Sequence, residues 1–312
     1  MFTLKSLFVA AVSLPLAISA STTSYAADGE PAGYLFGSVE IFGGGIKLTE
    51  GSGLVGTPTN EPVNAKFYGG ALKAGYGFNN GILVVGELFT EKTNTGSADD
   101  SYASGFSMAG HLAYQRDDWL FGAFGGRINT DQDNNNNDTS IRHFYGIEGQ
   151  YYWENVTLMA QLGRLGGTGG TDDSGEDSIY DATFFKVGVN WFVQPDTMLS
   201  AHFSGARGVM GDKTGFFDRA HKVTTRNWGV RAEHQFTFEN NIKFSVYAKY
   251  DISYYDERPG ESDHFDERTW MVGLKIKFNN SDSLRASNRR GETLEAPREL
   301  VRWVAQTGGP GE

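Results

Sequence analysis

The segment from Thr269 to Phe278 constrains the fold more than any other stretch of this sequence. Two sets of residues alternate along it, with Trp270, Val272, Leu274, Ile276 and Phe278 on one face and Met271, Gly273, Lys275 and Lys277 on the other. A repeat of two residues indicates a β-strand, because successive side chains of a strand point to opposite faces. An apolar face with aromatic residues at both ends, opposite a charged face, is typical of a transmembrane β-barrel strand. The sequence therefore predicts a strand with one face in lipid.

The end of this strand resembles the closing-strand signal of Gram-negative outer-membrane β-barrel proteins. The resemblance is carried by Gly273, by the apolar Ile276 and by the aromatic Phe278. It implies a porin-like barrel that the barrel assembly machinery inserts, with outer-membrane lipid and lipopolysaccharide as its surroundings. Members of that family usually end at this Phe, whereas here a tail from Asn279 to Glu312 follows.

The composition excludes several classes of function. The chain has no cysteine, which excludes disulfides, thiolate metal sites and cysteine nucleophiles. Its net charge of -11 argues against nucleic acid as a partner, because nucleic-acid binding needs a basic face. The 41 glycines and 13% aromatic residues suit a barrel, in which only alternate residues must be apolar. We predict no cofactor and no metal site.

The N-terminus predicts export. Lys5 precedes an apolar run from Leu7 to Ile18, and Ser24 with Ala26 forms the small-x-small pattern of a signal-peptidase site. We therefore predict a signal peptide over residues 1–26. The apolar run is shorter than the roughly 20 residues that a membrane-spanning helix needs. The predicted location is the cell outer membrane.

Tight turns and long polar connections alternate from Gly33 onward. The tight turns are predicted at residues 79–81, 116–117, 154–155, 195–196 and 239–241, and long connections join the strands between them. Outer-membrane barrels place short turns in the periplasm and long loops outside. We predict an all-β fold over residues 27–278: a transmembrane antiparallel up-and-down β-barrel of about twelve strands, with residues 279–312 as a periplasmic C-terminal tail.

Ionisable side chains occupy the strand faces opposite the apolar ones. Charges at membrane depth are tolerated only where they face water or one another. In one interpretation they line a water-filled pore, and their mixed positive and negative charges set the ion or solute preference. In the other they pair across a narrow interior and largely fill it. We favour the pore. The predicted pore-lining residues are Glu40, Lys73, Glu87, His111, Glu148, Lys186, His202, Arg231, Glu233, Lys249, Asp251 and Lys275.

One connection is basic and partly apolar, whereas most others are acidic. It runs from Gly205 to Val223. We predict that it folds into the barrel mouth as a constriction loop and pairs with acids such as Glu87 or Glu148. Its basic residues are Arg207, Lys213, Arg219 and Lys222.

The acidic connections are predicted to lie outside the cell. They include Asp131, Asp266 and Glu267. The run that starts at Asp131 lacks the glycine and the closing glutamate of an EF-hand loop, so we predict solvated loops and no specific calcium site.

His202 and Ser204 form a His-x-Ser pair on one strand face. A serine becomes a nucleophile only beside a base, and outer-membrane lipid hydrolases use a His and a Ser so spaced. Here Ala201 and Phe203 take the lipid face, which points the pair into the lumen and away from lipid. We therefore predict no catalytic residue and no enzyme activity.

The C-terminal tail contains one short helical pattern. Pro297 precedes a possible helix from Arg298 to Ala305, which is too short to be stable alone in water. The tail either docks as a periplasmic plug or partner-binding segment, or is disordered. Disorder with weak helicity is the expectation.

Together these features predict a narrow porin-like channel for ions or small hydrophilic solutes. The first alternative is a plugged structural or adhesin-type barrel that uses its acidic surface loops. An outer-membrane lipid hydrolase is the less favoured second alternative.

Overall fold

The fold is described from a computed structural model of the chain. It covers residues 33–49, 63–94, 104–131, 139–167, 179–210, 221–238, 243–256, 264–278 and 283–306. The predicted signal peptide and most of the long connections, including Lys213 and Arg219, lie outside these residues.

The alternating segments of the sequence form twelve β-strands within the described residues. They are β1 Gly33–Thr49, β2 Val63–Phe78, β3 Ile82–Asn94, β4 Ser104–Arg116, β5 Trp119–Asp131, β6 Thr139–Trp153, β7 Val156–Gly166, β8 Tyr180–Gln194, β9 Thr197–Met210, β10 His221–Thr237, β11 Lys243–Asp256 and β12 His264–Phe278.

These strands close into one barrel. Each strand pairs antiparallel with the next, and β12 pairs back with β1, from Gly37 opposite Phe278 to Thr49 opposite Asp266. Closure leaves no strand edge unpaired, which lipid requires because it cannot hydrogen-bond the backbone. The predicted all-β, antiparallel, up-and-down barrel is confirmed, and β12 is its closing strand.

The strands extend further on the long-connection side than the sequence predicts. β3 continues to Asn94 and β12 begins at His264. The ladder continues through polar residues because its hydrogen bonds join backbone groups and need no apolar side chain. The prediction that Asp266 and Glu267 lie in an outer loop is therefore wrong, since both residues belong to β12.

The outer surface of the barrel is apolar and has no protein covering among the described residues. Ile41, Leu112, Val230 and Val272 are between 44% and 61% exposed. Aromatic residues that include Tyr114, Trp153, Trp191 and Phe236 lie next to the tight turns and are also exposed. An apolar band bordered by aromatic residues matches the hydrocarbon layer of a membrane and its interface. The barrel is therefore built to span a membrane.

The C-terminal segment, which we define as residues 283–306, is folded. It contains a short helix α1 (Leu284–Ser287), an irregular wide turn (Asn288–Glu292) and a helix α2 (Glu299–Gln306). The expectation of disorder is wrong for these residues, because their partners come from the barrel and cannot be read from the tail alone. Among the described residues, no helix is long and apolar enough to cross a membrane.

Candidate functional site

The C-terminal segment enters the barrel at the rim that carries the tight turns. The backbone N–H of Leu284 donates to Asp196 Oδ1 at 3.1 Å, and that of Arg285 donates to the Pro195 carbonyl at 2.9 Å. Pro195 and Asp196 form the turn between β8 and β9. Ser283 Oγ accepts from the backbone N–H of Ala286 at 3.2 Å and caps α1. The segment is thus anchored at the periplasmic rim before it turns inward.

Two glutamates of the segment meet lysines of the inner wall. Lys73 Nζ donates to the Glu292 carbonyl at 2.7 Å and lies 3.1 Å from Glu295 Oε1. Lys275 Nζ lies 3.6 Å from the same Glu295 oxygen, and Lys277 Nζ lies 3.4 Å from Glu292 Oε2. These lysines are buried on β2 and β12. The segment therefore supplies the counter-charges that buried ammonium groups need.

Arg298 makes a two-pronged ion pair with Glu40 of β1. Its Nη1 donates to Oε1 at 2.9 Å and its Nη2 donates to Oε2 at 3.1 Å. Tyr247 Oη also donates to Glu40, at 2.5 Å, and Lys275 lies 3.5 Å away. A planar guanidinium facing a carboxylate in this way is the strong, orientation-specific form of an ion pair.

α2 continues the pairing into the outer half of the barrel. Glu299 accepts from Lys186 Nζ at 2.7 Å, while Arg302 Nε donates to Glu91 at 2.7 Å. Arg302 Nη1 also reaches Glu267 at 3.0 Å. Glu91 and Glu267 lie in the parts of β3 and β12 far from the tight turns. The segment therefore extends from the periplasmic rim well into the outer half.

Apolar residues of the segment pack against the inner wall as well. Leu300, Val301, Trp303 and Val304 are buried in one cluster with barrel aromatics that include Phe42, Phe67, Phe89, Phe124 and Phe144. Val301 lies close to Gly105 of β4, where a Cβ atom on residue 105 would collide with Val301 Cγ1. Only glycine leaves room for α2 at this point.

His111 is buried between two carboxylates of the wall. Its Nδ1 lies 2.7 Å from Glu148 Oε1, and its Nε2 lies 3.6 Å from Glu87 Oε1. Glu87 also accepts from the backbone N–H of Ala296. The segment is thus connected to this cluster through its backbone.

All twelve predicted pore-lining residues have side chains that point to the interior of the barrel. Some of them contact the C-terminal segment, and the others pair along the wall. Wall pairs include Arg231 with Glu233 at 2.5 Å and Lys249 with Asp251 at 2.8 Å. The residues that contact the segment are Glu40, Lys73, Glu87, Lys186, His202 and Lys275. Their role in lining a pore stays a prediction.

Sequence reasoning missed the other half of this interaction. Glu91 and Glu267 were not singled out as lumen residues, and no charge of the tail was connected to the wall. The signal available was the spacing of charges in the tail at three or four residues, which places them along one short helix and the turn before it. The missed residues of the segment are Glu292, Glu295, Arg298, Glu299 and Arg302.

The predicted constriction loop is not supported at the two positions that the structure describes. Arg207 lies on β9 and Lys222 on β10, and both side chains are exposed on the outer face of the barrel. The strands extend further than the sequence indicated, so alternation along them decides where these side chains point. For Arg207 and Lys222 the constriction prediction is therefore wrong.

His202 and Ser204 face the lumen, as predicted. His202 Nε2 lies 2.8 Å from Asn227 Oδ1, and Ser204 Oγ has no hydrogen-bond partner within the described part of the chain. A nucleophilic serine needs a base within hydrogen-bond reach. This geometry therefore offers no activated serine and no access from the lipid.

Little space remains beside the segment. A cavity of about 170 Å³ lies between α2 and the wall, and its lining includes Lys186, Arg231 and Lys249. Sites for small-molecule ligands measure about 300–1,000 Å³. Within the described residues, the C-terminal segment therefore fills much of the lumen.

No protein-family model and no curated protein sequence matches this chain. Solved structures similar to it include the TodX monoaromatic hydrocarbon channel deltaS2 mutant, at 9% identity and a TM-score of 0.45, covering 80% of this chain and 91% of the other. The KdgM porin gives 8% identity, a TM-score of 0.43 and coverage of 77% and 99%. A Pseudomonas aeruginosa FadL homologue is 8% identical, with a TM-score of 0.42, and the match covers 79% of this chain and 90% of the other.

These likenesses are too distant to identify a subfamily or a solute. The closed twelve-stranded barrel, its apolar outer band and its charged interior establish the class by themselves. The chain is an outer-membrane β-barrel protein.

Proposed function

We propose that this protein is an outer-membrane channel for ions or small hydrophilic solutes whose own C-terminal segment closes it. The proposal is carried by one observation: charges of the segment pair with wall charges on five different strands. Arg298 meets β1 and Glu295 meets Lys73 of β2. Arg302 meets β3 and β12, and Glu299 meets β8.

The wall itself favours polar solutes. Without the segment, the acids and the bases of the inner wall would face the water of the lumen side by side, as Glu40 and Lys275 do on the adjacent strands β1 and β12. A lumen of mixed charge passes hydrated solutes and disfavours hydrocarbons. The acids include Glu40, Glu87, Glu91, Glu148, Glu233, Asp251 and Glu267, and the bases include Lys73, Lys186, Arg231, Lys249, Lys275 and Lys277.

The nature of the contacts favours a plug that can leave. The segment is an extension beyond β12 and contributes no strand to the barrel, so the barrel wall stays closed without it. Water and salt can replace the partners of an ion pair that becomes exposed, which is not true of an apolar core.

The second candidate, a permanently plugged structural or adhesin-type barrel, is favoured by the apolar contacts of α2. Leu300, Trp303 and Val304 are no more than 1% exposed. Exposing them to water would cost about 1.5–3 kcal/mol for each side chain. If these contacts hold the segment in place, function lies at the outer surface of the barrel.

A reversible cross-link separates the two candidates. An ideal Cβ on residue 105 would lie 3.7 Å from Val301 Cβ, within the range of about 3.5–4.5 Å that a disulfide needs. The double variant Gly105→Cys/Val301→Cys forms this bond in a chain with no other cysteine. We expect no conductance steps in planar bilayers when it is oxidised, and discrete steps after reduction.

The single variants Gly105→Cys and Val301→Cys control for the substitutions themselves. Heat-modifiable gel mobility confirms that each barrel is folded. If neither the wild type nor the reduced double variant shows conductance steps although both barrels are folded, the channel is rejected and the permanently plugged barrel is supported.

The export route is part of the same proposal. The mature chain is proposed to begin at Ala27 after removal of residues 1–26, because Ser24 and Ala26 form the cleavage pattern. Sequencing the N-terminus of protein taken from the outer membrane tests this. Retention of Met1 would contradict it.

A further inference from the structure

Three cations form a patch on the outer face of β9 and β10. Arg207 pairs with Thr224 in the strand register, and Arg226 pairs with Gly205. Lys222 lies two residues before Thr224 on β10, so the three cations surround Thr224 on one face. Outward positions on adjacent strands lie about 5 Å apart across the ladder and about 7 Å apart along it. All three side chains are exposed.

The patch lies at the outer border of the apolar band. Phe236 belongs to the girdle of aromatic residues next to the tight turns, and Arg226 lies ten residues from Phe236 along β10. Ten residues of a strand tilted by about 40° rise about 25 Å, which equals the height of the apolar band of such barrels. Two exposed aromatic residues are the neighbours of Arg226: Trp228, two residues nearer the tight turns on β10, and Tyr254, directly opposite on β11. Arg226 is therefore at the level of lipid headgroups, with Arg207 and Lys222 above it.

The neighbouring acids do not neutralise the patch. Asp256 lies opposite Thr224 on β11, and Asp181 on the other side is already paired with Arg164 at 2.7 Å. Among the described residues, no ion pair joins Arg207, Lys222 or Arg226 to an acid. Three cations outnumber Asp256, the one adjacent acid without an ion-pair partner in the described part of the chain, so the described part of the patch has a net positive charge.

The rim at the tight turns, at the opposite end of the barrel from the patch, carries mainly aromatic residues at its outward positions. Outward positions beside the tight turns carry aromatic residues such as Trp153 and Trp191. Arg116 is an outward cation at that rim, and it lies 3.5 Å from Asp117 Oδ2. Unpaired outward cations thus mark the border with the outer leaflet.

We propose that Arg207, Lys222 and Arg226 bind phosphate groups of lipopolysaccharide in the outer leaflet. The phosphates of this lipid lie at the headgroup level, directly above its acyl chains. The cations contact the phosphates while Trp228 and Tyr254 pack against the chains. Arginine suits this role because its planar fork donates two hydrogen bonds to one phosphate. The site is independent of whether the lumen conducts.

Binding of lipopolysaccharide to the folded, detergent-solubilised full chain tests the proposal. The triple variant Arg207→Gln/Lys222→Gln/Arg226→Gln removes the patch, and Arg116→Gln is the matched control at the other rim. At about 1 kcal/mol for each cation near a charged lipid surface, we expect the triple variant to bind on the order of 100-fold more weakly. Arg116→Gln should bind as the wild type does.

Two ligand comparisons identify the source of the phosphate. Dephosphorylated lipopolysaccharide should bind the wild type as weakly as intact lipid binds the triple variant. Inorganic phosphate should not displace the bound lipid, because it lacks the acyl chains that contact Trp228 and Tyr254.

Equal binding of intact lipid by the wild type and the triple variant would overturn the site. Full displacement by inorganic phosphate would overturn the assignment to lipid. If the triple variant does not fold, the single variant Lys222→Gln, with an expected loss of about fivefold, applies the same criterion.

Discussion

Arg298 and Glu40 face each other across the lumen in a two-pronged ion pair, although 258 residues separate them in the sequence. Glu40 belongs to the first strand, and Arg298 belongs to the segment that follows the last one. This pair joins the C-terminal segment to β1, the strand with which β12 pairs to close the barrel.

Removing this pair should raise the open probability of the proposed channel. Arg298→Gln leaves Glu40 without its guanidinium partner, and breaking a buried pair from one side costs about 3 kcal/mol or more. We expect the open-to-closed ratio in planar bilayers to rise on the order of 100-fold. Arg285→Gln is the control, because among the described residues Arg285 anchors the segment through its backbone N–H and its side chain makes no ion pair. Equal conductance of folded Arg298→Gln and wild type would contradict this prediction.

A methyl group at position 105 should push α2 away from the wall. The Cβ of Gly105→Ala would collide with Val301 Cγ1, and overpacking of this kind costs about 1–3 kcal/mol. We expect trypsin to cut after Arg298 and Arg302 roughly tenfold faster than in the wild type. Truncation at the partner, in Gly105→Ala/Val301→Ala, should restore the wild-type rate because it removes the colliding atom.

Gly86→Ala is the matched control for that experiment. It is also a strand glycine, but no atom lies within 4 Å of the Cβ that it would acquire. A cleavage rate for Gly105→Ala no faster than that for Gly86→Ala would show that Val301 has room to move.

Gly273→Val should impair formation of the barrel. The ring of Tyr247 lies over Gly273 on the inner face, so that a side chain there would collide with it. Tyr247 Oη also donates to Glu40, and displacing the ring therefore disturbs both β12 and β1. We expect a clearly lower folded fraction by heat-modifiable gel mobility. Gly149 faces outward, and a Cβ atom on residue 149 would lie 3.6 Å from its nearest neighbour, the Leu120 carbonyl oxygen. Gly149→Val should therefore fold as the wild type does.

The C-terminal end of α2 should lead to the outside of the cell. Val301 packs on Gly105 near the outer end of β4, and Arg302 pairs with outer residues of β3 and β12. We expect an epitope tag added after Glu312 to bind antibody on intact cells. A thiol-reactive label that cannot cross the membrane should not react with Asp117→Cys, which lies at a tight turn. Antibody binding only after the outer membrane is broken would contradict this topology.

The barrel could be predicted from sequence because its rules are local. Alternation along each strand, and the contrast between tight turns and long connections, are properties of short windows. They place the strand ends at the periplasmic side correctly, for example Phe78, Trp153 and Phe278. The outer ends of the strands were missed because polar residues, such as those from Thr90 to Asn94, carry no alternation of hydrophobicity.

The folded structure of the C-terminal segment could not be predicted in the same way. Its helix α2 has eight residues, which is too few for stability in isolation. Its stability comes from partners such as Glu40, Glu91 and Lys186, which are distant in sequence. The direction of Arg207 could be predicted only once the true length of β9 was known, because the side-chain direction follows strand parity.

The short connection between the barrel and its plug determines how such a channel would behave in time. Phe278 ends β12, and Ser283 already caps α1 only five residues later. A segment on so short a tether experiences an effective concentration in the millimolar range or above, so it rebinds rapidly after each release. A soluble competitor at micromolar concentration cannot keep the lumen free. Openings would therefore be brief, and a lasting open state needs a partner that captures the released segment.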